Sequence, residues 1–93
     1  MIIVSQDKDN IVNFDNIVSI GLNDFDIDRE TTFQRITAET IGTSVVLGDY
    51  KTEERAKEVL QEIIKSYRHY RTAECDGYTN VLEETAVFEM PKE

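Results

Sequence analysis

The 93 residues weigh 10.7 kDa, enough for one domain, and 40% hydrophobic with 31% charged residues is a globular composition. Nineteen acidic against ten basic side chains give a net charge of −9 and a pI near 4.5. That excludes a free-standing binder of nucleic acid or of anionic membranes, which needs surplus Lys and Arg. Apolar runs stop at four residues, as in Met1-Ile2-Ile3-Val4, whereas a membrane span needs about 20.

In chain order, residues 1–5 are rich in β-branched side chains and read as a first strand. The cluster Asp7-Lys8-Asp9-Asn10 reads as a turn, and 11–14 as a second strand. Asp15-Asn16 reads as another turn, followed by a strand over 17–22 with Val18, Ile20 and Leu22 on one face. Two early hairpins predict an antiparallel meander. Residues 23–30 read as a polar connection, and 31–40 as a strand in which Phe33 opposes Ile36 and Ala38. Gly42-Thr43 predicts a turn into a strand over 43–47 that ends at Gly48-Asp49.

The strongest pattern is a helix over 52–71. Ala56, Val59, Leu60, Ile63, Ile64 and Tyr67 repeat at helical spacing and form one apolar stripe. Thr52 is the expected N-cap, although Arg55 stands where a capping box would place Glu or Gln. Glu53 and Glu54 fall in the first turn and Arg68, His69 and Arg71 in the expected last one, each complementing the helix dipole. Glu53 and Lys57 are spaced for an i,i+4 pair. Residues 72–85 read as a loop, and 86–90 as a last strand that returns to the sheet.

The expected architecture is therefore a single α+β domain over 1–93. It has a largely antiparallel sheet of five to six short strands, with the helix packed on one face and a C-terminal strand. Residues 51–73 carry six bases and four acids, while the rest of the chain holds the negative charge. The sheet face opposite the helix is thus expected to be acidic.

The most distinctive constellation is Asp24-x-Asp26-x-Asp28-x-Glu30. It matches three ligand positions of a calcium loop, but Arg29 takes the place of the required Gly and Arg35 that of the bidentate Glu. Its plainest reading is a solvated acidic loop. If extended, it is also a row of carboxylates about 6.6 Å apart that imitates phosphates in a partner's basic groove. His69 and Cys75 are the one nucleophile–base pair, without a family-type cysteine motif around them. One His and one Cys do not make a closed zinc site. No phosphate loop, nucleophile elbow or HExxH occurs. The expectation is no enzyme, no catalytic or metal residues and no cofactor. Tyr70, beside the stripe residue Tyr67, is the aromatic candidate for a contact surface.

Met1-Ile2-Ile3-Val4-Ser5-Gln6-Asp7-Lys8 with Ile11-Val12-Asn13-Phe14-Asp15-Asn16 resembles the opening of a family of small uncharacterised proteins of Gram-positive bacteria, their phages and mobile elements. Leu47-Gly48-Asp49-Tyr50-Lys51-Thr52-Glu53-Glu54-Arg55-Ala56 resembles that family's helix entry, and Phe88-Glu89-Met90-Pro91 its ending. The resemblance supplies context and no catalytic residues. It implies a small acidic interaction protein that binds a host or phage protein, including as an inhibitor covering the basic nucleic-acid site of a host defence protein. The candidate partner-binding residues are Asp24, Asp26, Asp28, Glu30 and Tyr70. No direct nucleic-acid or membrane contact is expected. The alternative is a structural or assembly protein that self-associates as a homo-oligomer through a sheet edge, the strand over 31–40 having no evident edge protection, or through an exposed sheet face; or an accessory protein. A lone cysteine, Cys75, and no basic n-region at the start lead to a cytoplasmic expectation.

Overall fold

The computed structural model describes the backbone of residues 1–76 and 86–93 and the side chains of 1–72 and 86–93. Strands β1 (Ile2–Val4), β2 (Ile11–Asn13), β3 (Ile17–Asp26), β4 (Thr32–Thr40) and β5 (Thr43–Tyr50) precede helix α1 (Glu53–Asp76) and strand β6 (Val87–Glu89). The fold is α+β, but the strands form two three-stranded sheets, β2-β1-β6 and β3-β4-β5. All pairings are antiparallel except β1 with β6, which is parallel.

The expected single sheet is divided at Phe14. Where a second hairpin was expected, Phe14–Asn16 form one turn of 3-10 helix, started by the Asn13 side chain accepting from Asp15 N at 3.0 Å. That turn redirects the chain into the second sheet and aims Phe14 at the helix, where its ring stacks on Tyr67 at 4.3 Å.

The first hairpin closes as its turn residues require. The Ser5 hydroxyl donates to Asp7 Oδ1 (2.5 Å) and accepts from Asn10 N (3.0 Å), while Lys8 takes the left-handed conformation at φ 64°. The Ser5 bond, with a second from Asp9 N, holds the Asp7 carboxyl below its ordinary pKa.

The other sheet is built on the long β3–β4 hairpin. β3 continues four residues beyond its expected end at 22, and β5 continues past Gly48-Asp49 to Tyr50. Two bulges adjust the sheet, one at Val18 and one at Leu47. The bulge at Val18 turns that side chain out of the expected Val18–Ile20–Leu22 face and into solvent. Gly42, at φ 90°, makes the two-residue turn between β4 and β5.

Helix α1 begins as the sequence indicates: Thr52 Oγ1 accepts from Arg55 N at 3.1 Å, and Lys57 pairs with Glu53 at 3.0 Å. It packs over β4 and β5. Ala56, Val59 and Ile63 are buried against Ile36, Ala38 and Leu47, joined by Met1, Ile3, Val12, Tyr50 and Met90. Ile64, the outer member of the stripe, stays exposed. The helix extends to Asp76, so 72–76 are helical rather than loop, and Arg68, His69 and Arg71 are not its last turn, which holds no basic residue. The longer helix carries six acids and five bases and is nearly neutral rather than basic. No described helix is long and apolar enough to cross a membrane.

One side chain ties the two sheets together. Gln6 donates through Nε2 to Asp49 O (3.0 Å) and Lys92 O (2.7 Å), and its Oε1 accepts from Asp49 N (2.9 Å). Its backbone N donates to Leu47 O at 2.7 Å. Gln6 thus acts as a short stand-in strand along β5. Gly48 permits this approach: a Cβ there would lie 3.1 Å from the Tyr50 ring and 3.2 Å from Gln6 Cβ. Tyr50 is buried, its hydroxyl donating to Pro91 O at 2.7 Å, and burial pushes its pKa up to about 12.

Candidate interaction surface

The acidic row lies at the end of the β3–β4 hairpin. The last β5 partner of β4 is Tyr50, opposite Gln34, so the pairs Phe25–Phe33 and Asp26–Thr32 overhang the third strand as a two-stranded ribbon. Asp24 and Asp26 are strand residues, not loop. Asn and Asp are poor strand formers, yet cross-strand partners hold them here. Gln34 Nε2 donates to Asp24 Oδ1 at 2.6 Å, and the Thr32 hydroxyl donates to Asp26 Oδ1 at 2.7 Å. Asp28 makes the turn, its Oδ1 accepting from Glu30 N and Thr31 N, both at 2.8 Å. Those two backbone N–H groups hold its carboxyl below the ordinary value. Glu30 is exposed beside it.

The four carboxylates therefore do not form one extended row. Asp24 and Asp26 alternate on one face, and the chain turns at Asp28. None of the four has an ion-pair partner among the described residues. Arg35, the nearest strand base, points to the opposite face. It forms a bidentate pair with Asp49 (2.8 and 3.1 Å), which raises its pKa, and it covers the Phe25 ring at 3.5 Å. That face, opposite the helix, carries Asn23, Phe25, Phe33, Arg35, Glu39 and Asp49. It is mixed rather than acidic, because the acids gather at the tip instead. Among the described residues, no group of three or more His, Cys, Asp or Glu could hold a metal ion.

Tyr70 is half-buried on α1, its ring 6.4 Å from Tyr67 and tilted to it, and it packs against the core. It is distant in the chain from the acidic tip and belongs to an aromatic row with Phe14 and Tyr67. His69 is exposed on the helix. The side chain of Cys75 lies outside the described residues.

A second surface escaped the pattern of the sequence. Ile11, Val18 and Ile41 are exposed and line a groove of about 600 Å³ between β2, the start of β3 and the β4–β5 turn. Next to it, a groove of about 390 Å³ runs from Phe14 and Ile20 to Leu60 and Ile64 on the helix. The available signal was Ile41, an apolar residue directly before the turn glycine Gly42. The strand over 31–40 is not an edge, since β4 is paired on both sides; the edges of this sheet are β3 and β5, and Gln6 meets β5 at Leu47 and Asp49.

A small α+β scaffold with an acidic hairpin tip and an apolar sheet edge is the class these features define. No family model matches the chain, and no curated protein or solved structure matches it either.

Proposed function

We propose that this chain is a non-enzymatic protein-interaction module of phage or mobile-element type. Its hairpin tip occupies a basic, nucleic-acid-binding site on a host or phage protein and so acts as an inhibitor. The observation carrying this reading is the tip itself: Asp24, Asp26, Asp28 and Glu30 lie within seven residues, with only Arg29 among them as a base, on a ribbon that overhangs its sheet. Three of the four carboxylates are oriented by their own strand and turn partners. Less ordering entropy is then lost when a cationic groove closes on them, and release of the groove's counterions supplies the drive that phosphates normally supply. Tyr70, the other candidate contact residue, lies on α1 beside Tyr67 rather than on the hairpin.

The test is competition. A basic partner captured by the protein should be displaced by duplex DNA and by rising salt, because the Debye length shrinks from about 10 Å at 0.1 M to about 3 Å at 1 M. A variant with Asp24→Asn, Asp26→Asn, Asp28→Asn and Glu30→Gln should no longer bind it. Capture that is indifferent to both salt and these substitutions contradicts the reading.

A further inference from the structure

We propose that the β3 edge is the interface for a second copy of this chain, joined antiparallel about a two-fold axis at Gly21. The inference goes beyond the hairpin-tip reading and shares with it only the tip segment, through Ile27.

Ile41 is 93% exposed, Val18 71%, Ile11 67% and Ile27 59%, and Ile64 is exposed on the helix nearby. Large apolar side chains this open are ordinary singly, but here four of the five border two adjoining grooves. Beside the grooves runs β3, an edge strand of ten residues containing no Lys, Arg or Pro. Its half from Ile17 to Leu22 is uncharged. An edge of this kind offers a row of backbone donors and acceptors to another strand.

Symmetry and charge select the arrangement. Antiparallel pairing of a strand with its own copy requires a two-fold axis normal to the sheet, and facing residues must share a side of the pleat. With Gly21 opposite Gly21, Ile20 of each copy faces Leu22 of the other on the helix side. Each Asp24 is then six residues from its counterpart, about 20 Å along the strand, beyond the Debye length of about 8 Å at physiological salt. Gly21 has nothing within 4 Å of where a Cβ would stand, which leaves the centre of the interface open.

The same register has a consequence for the fifth exposed residue. Ile27 of each copy comes level with residues 15–16 of the other, at the groove of Ile11, Val18 and Ile41. Both apolar surfaces are thereby covered reciprocally. A standard interface buries about 800 Å² per partner, to which the exposed apolar side chains, the β3 backbone, Ile17 and Ile20 all contribute here. Asp15, also lining the groove, meets the other copy's acidic tip, so dimerisation should tighten as salt rises. This is opposite to the salt dependence of binding through the carboxylates, so the two readings can fail separately.

Sedimentation equilibrium of the full chain at low and high salt is the experiment. The expected result is a dimer favoured by concentration and by salt, with a dissociation constant at least about tenfold higher in Val18→Asp with Ile27→Asp, because apolar contacts are lost and the new carboxylates face Asp24 and Asp15 of the other copy. Both positions are exposed, so circular dichroism should remain that of the folded protein. In a Cys75→Ser background, Gly21→Cys should cross-link to a disulfide dimer under added oxidant while Val87→Cys, on the other sheet, should not. A chain that stays monomeric at millimolar concentration in high salt overturns the proposal. So does a dimer unaffected by the paired aspartates, or one in which Gly21→Cys does not cross-link.

Discussion

The two edges of the β3–β4–β5 sheet receive opposite treatment. Along β5, the Gln6 side chain bonds both backbone groups of Asp49, Gln6 N bonds Leu47 O, and the Tyr50 hydroxyl and Gln6 amide hold the C-terminal segment at Pro91 and Lys92. Along β3, Val18 is turned outward, one flanking groove is largely apolar, and the other sets Ile11, Val18 and Ile41 among Asn13, Asp15 and Asn16. A chain of this size buries limited core, and closing one edge with its own ends ties its two sheets into one body. The difference shows that covering an edge takes specific polar partners, whereas the open edge retains the capacity to meet another strand.

Several substitutions would break or sharpen this contrast. The largest effect should come from the core beneath the closed side. Ile63→Ala should cost about 2–5 kcal/mol in denaturant unfolding, because the buried side chain leaves a cavity. Ile64→Ala, one residue on but exposed toward the open side, should cost less than about 1 kcal/mol. If the two cost the same, the helix does not sit as described. Next in size is Gly48→Ala. The added methyl meets the Tyr50 ring and Gln6 together, and it should destabilise by about 1–3 kcal/mol through overpacking. Gly21→Ala on the open edge meets nothing and should be nearly neutral.

Smaller still is Tyr50→Phe, which loses the bond to Pro91 O and should cost about 1 kcal/mol at neutral pH. Its effect on pH dependence is more telling. The folded pKa of Tyr50 lies above its unfolded value of 10.0, at about 12. Its contribution is therefore complete below pH 10 and lost as pH rises from there through about 12, because the unfolded chain releases the proton first. The difference in stability between the parent protein and Tyr50→Phe should shrink across that window. A difference that stays constant would mean that the hydroxyl is not buried.

The helix was legible because its stripe depends only on local periodicity, and Thr52 marks its start in the side-chain chemistry of the cap. Its end was not. The residues after Arg71 carry no apolar repeat, and Asp76-Gly77 suggests a turn rather than a last helical turn. The strands from 1 to 50 were recognisable as strands, but their division into two sheets was not. That division depends on Phe14 finding Tyr67 and on Gln6 finding Asp49, contacts 53 and 43 residues apart in the chain. The acidic residues were visible at once. What composition concealed was their support, since Asp24 and Asp26 became strand residues only when Gln34 and Thr32 arrived opposite them. Strict alternation put Val18 on one face with Ile20 and Leu22, and a one-residue bulge turned it away from them.

Amide hydrogen exchange measured at dilute and at concentrated protein tests the two edges most directly. The account predicts that β5 amides around Leu47–Asp49 are slow at both concentrations. Alternate β3 amides from Ile17 to Asn23 should exchange quickly when dilute and slow down when concentrated in high salt. Equal and concentration-independent protection along β3 and β5 would contradict it.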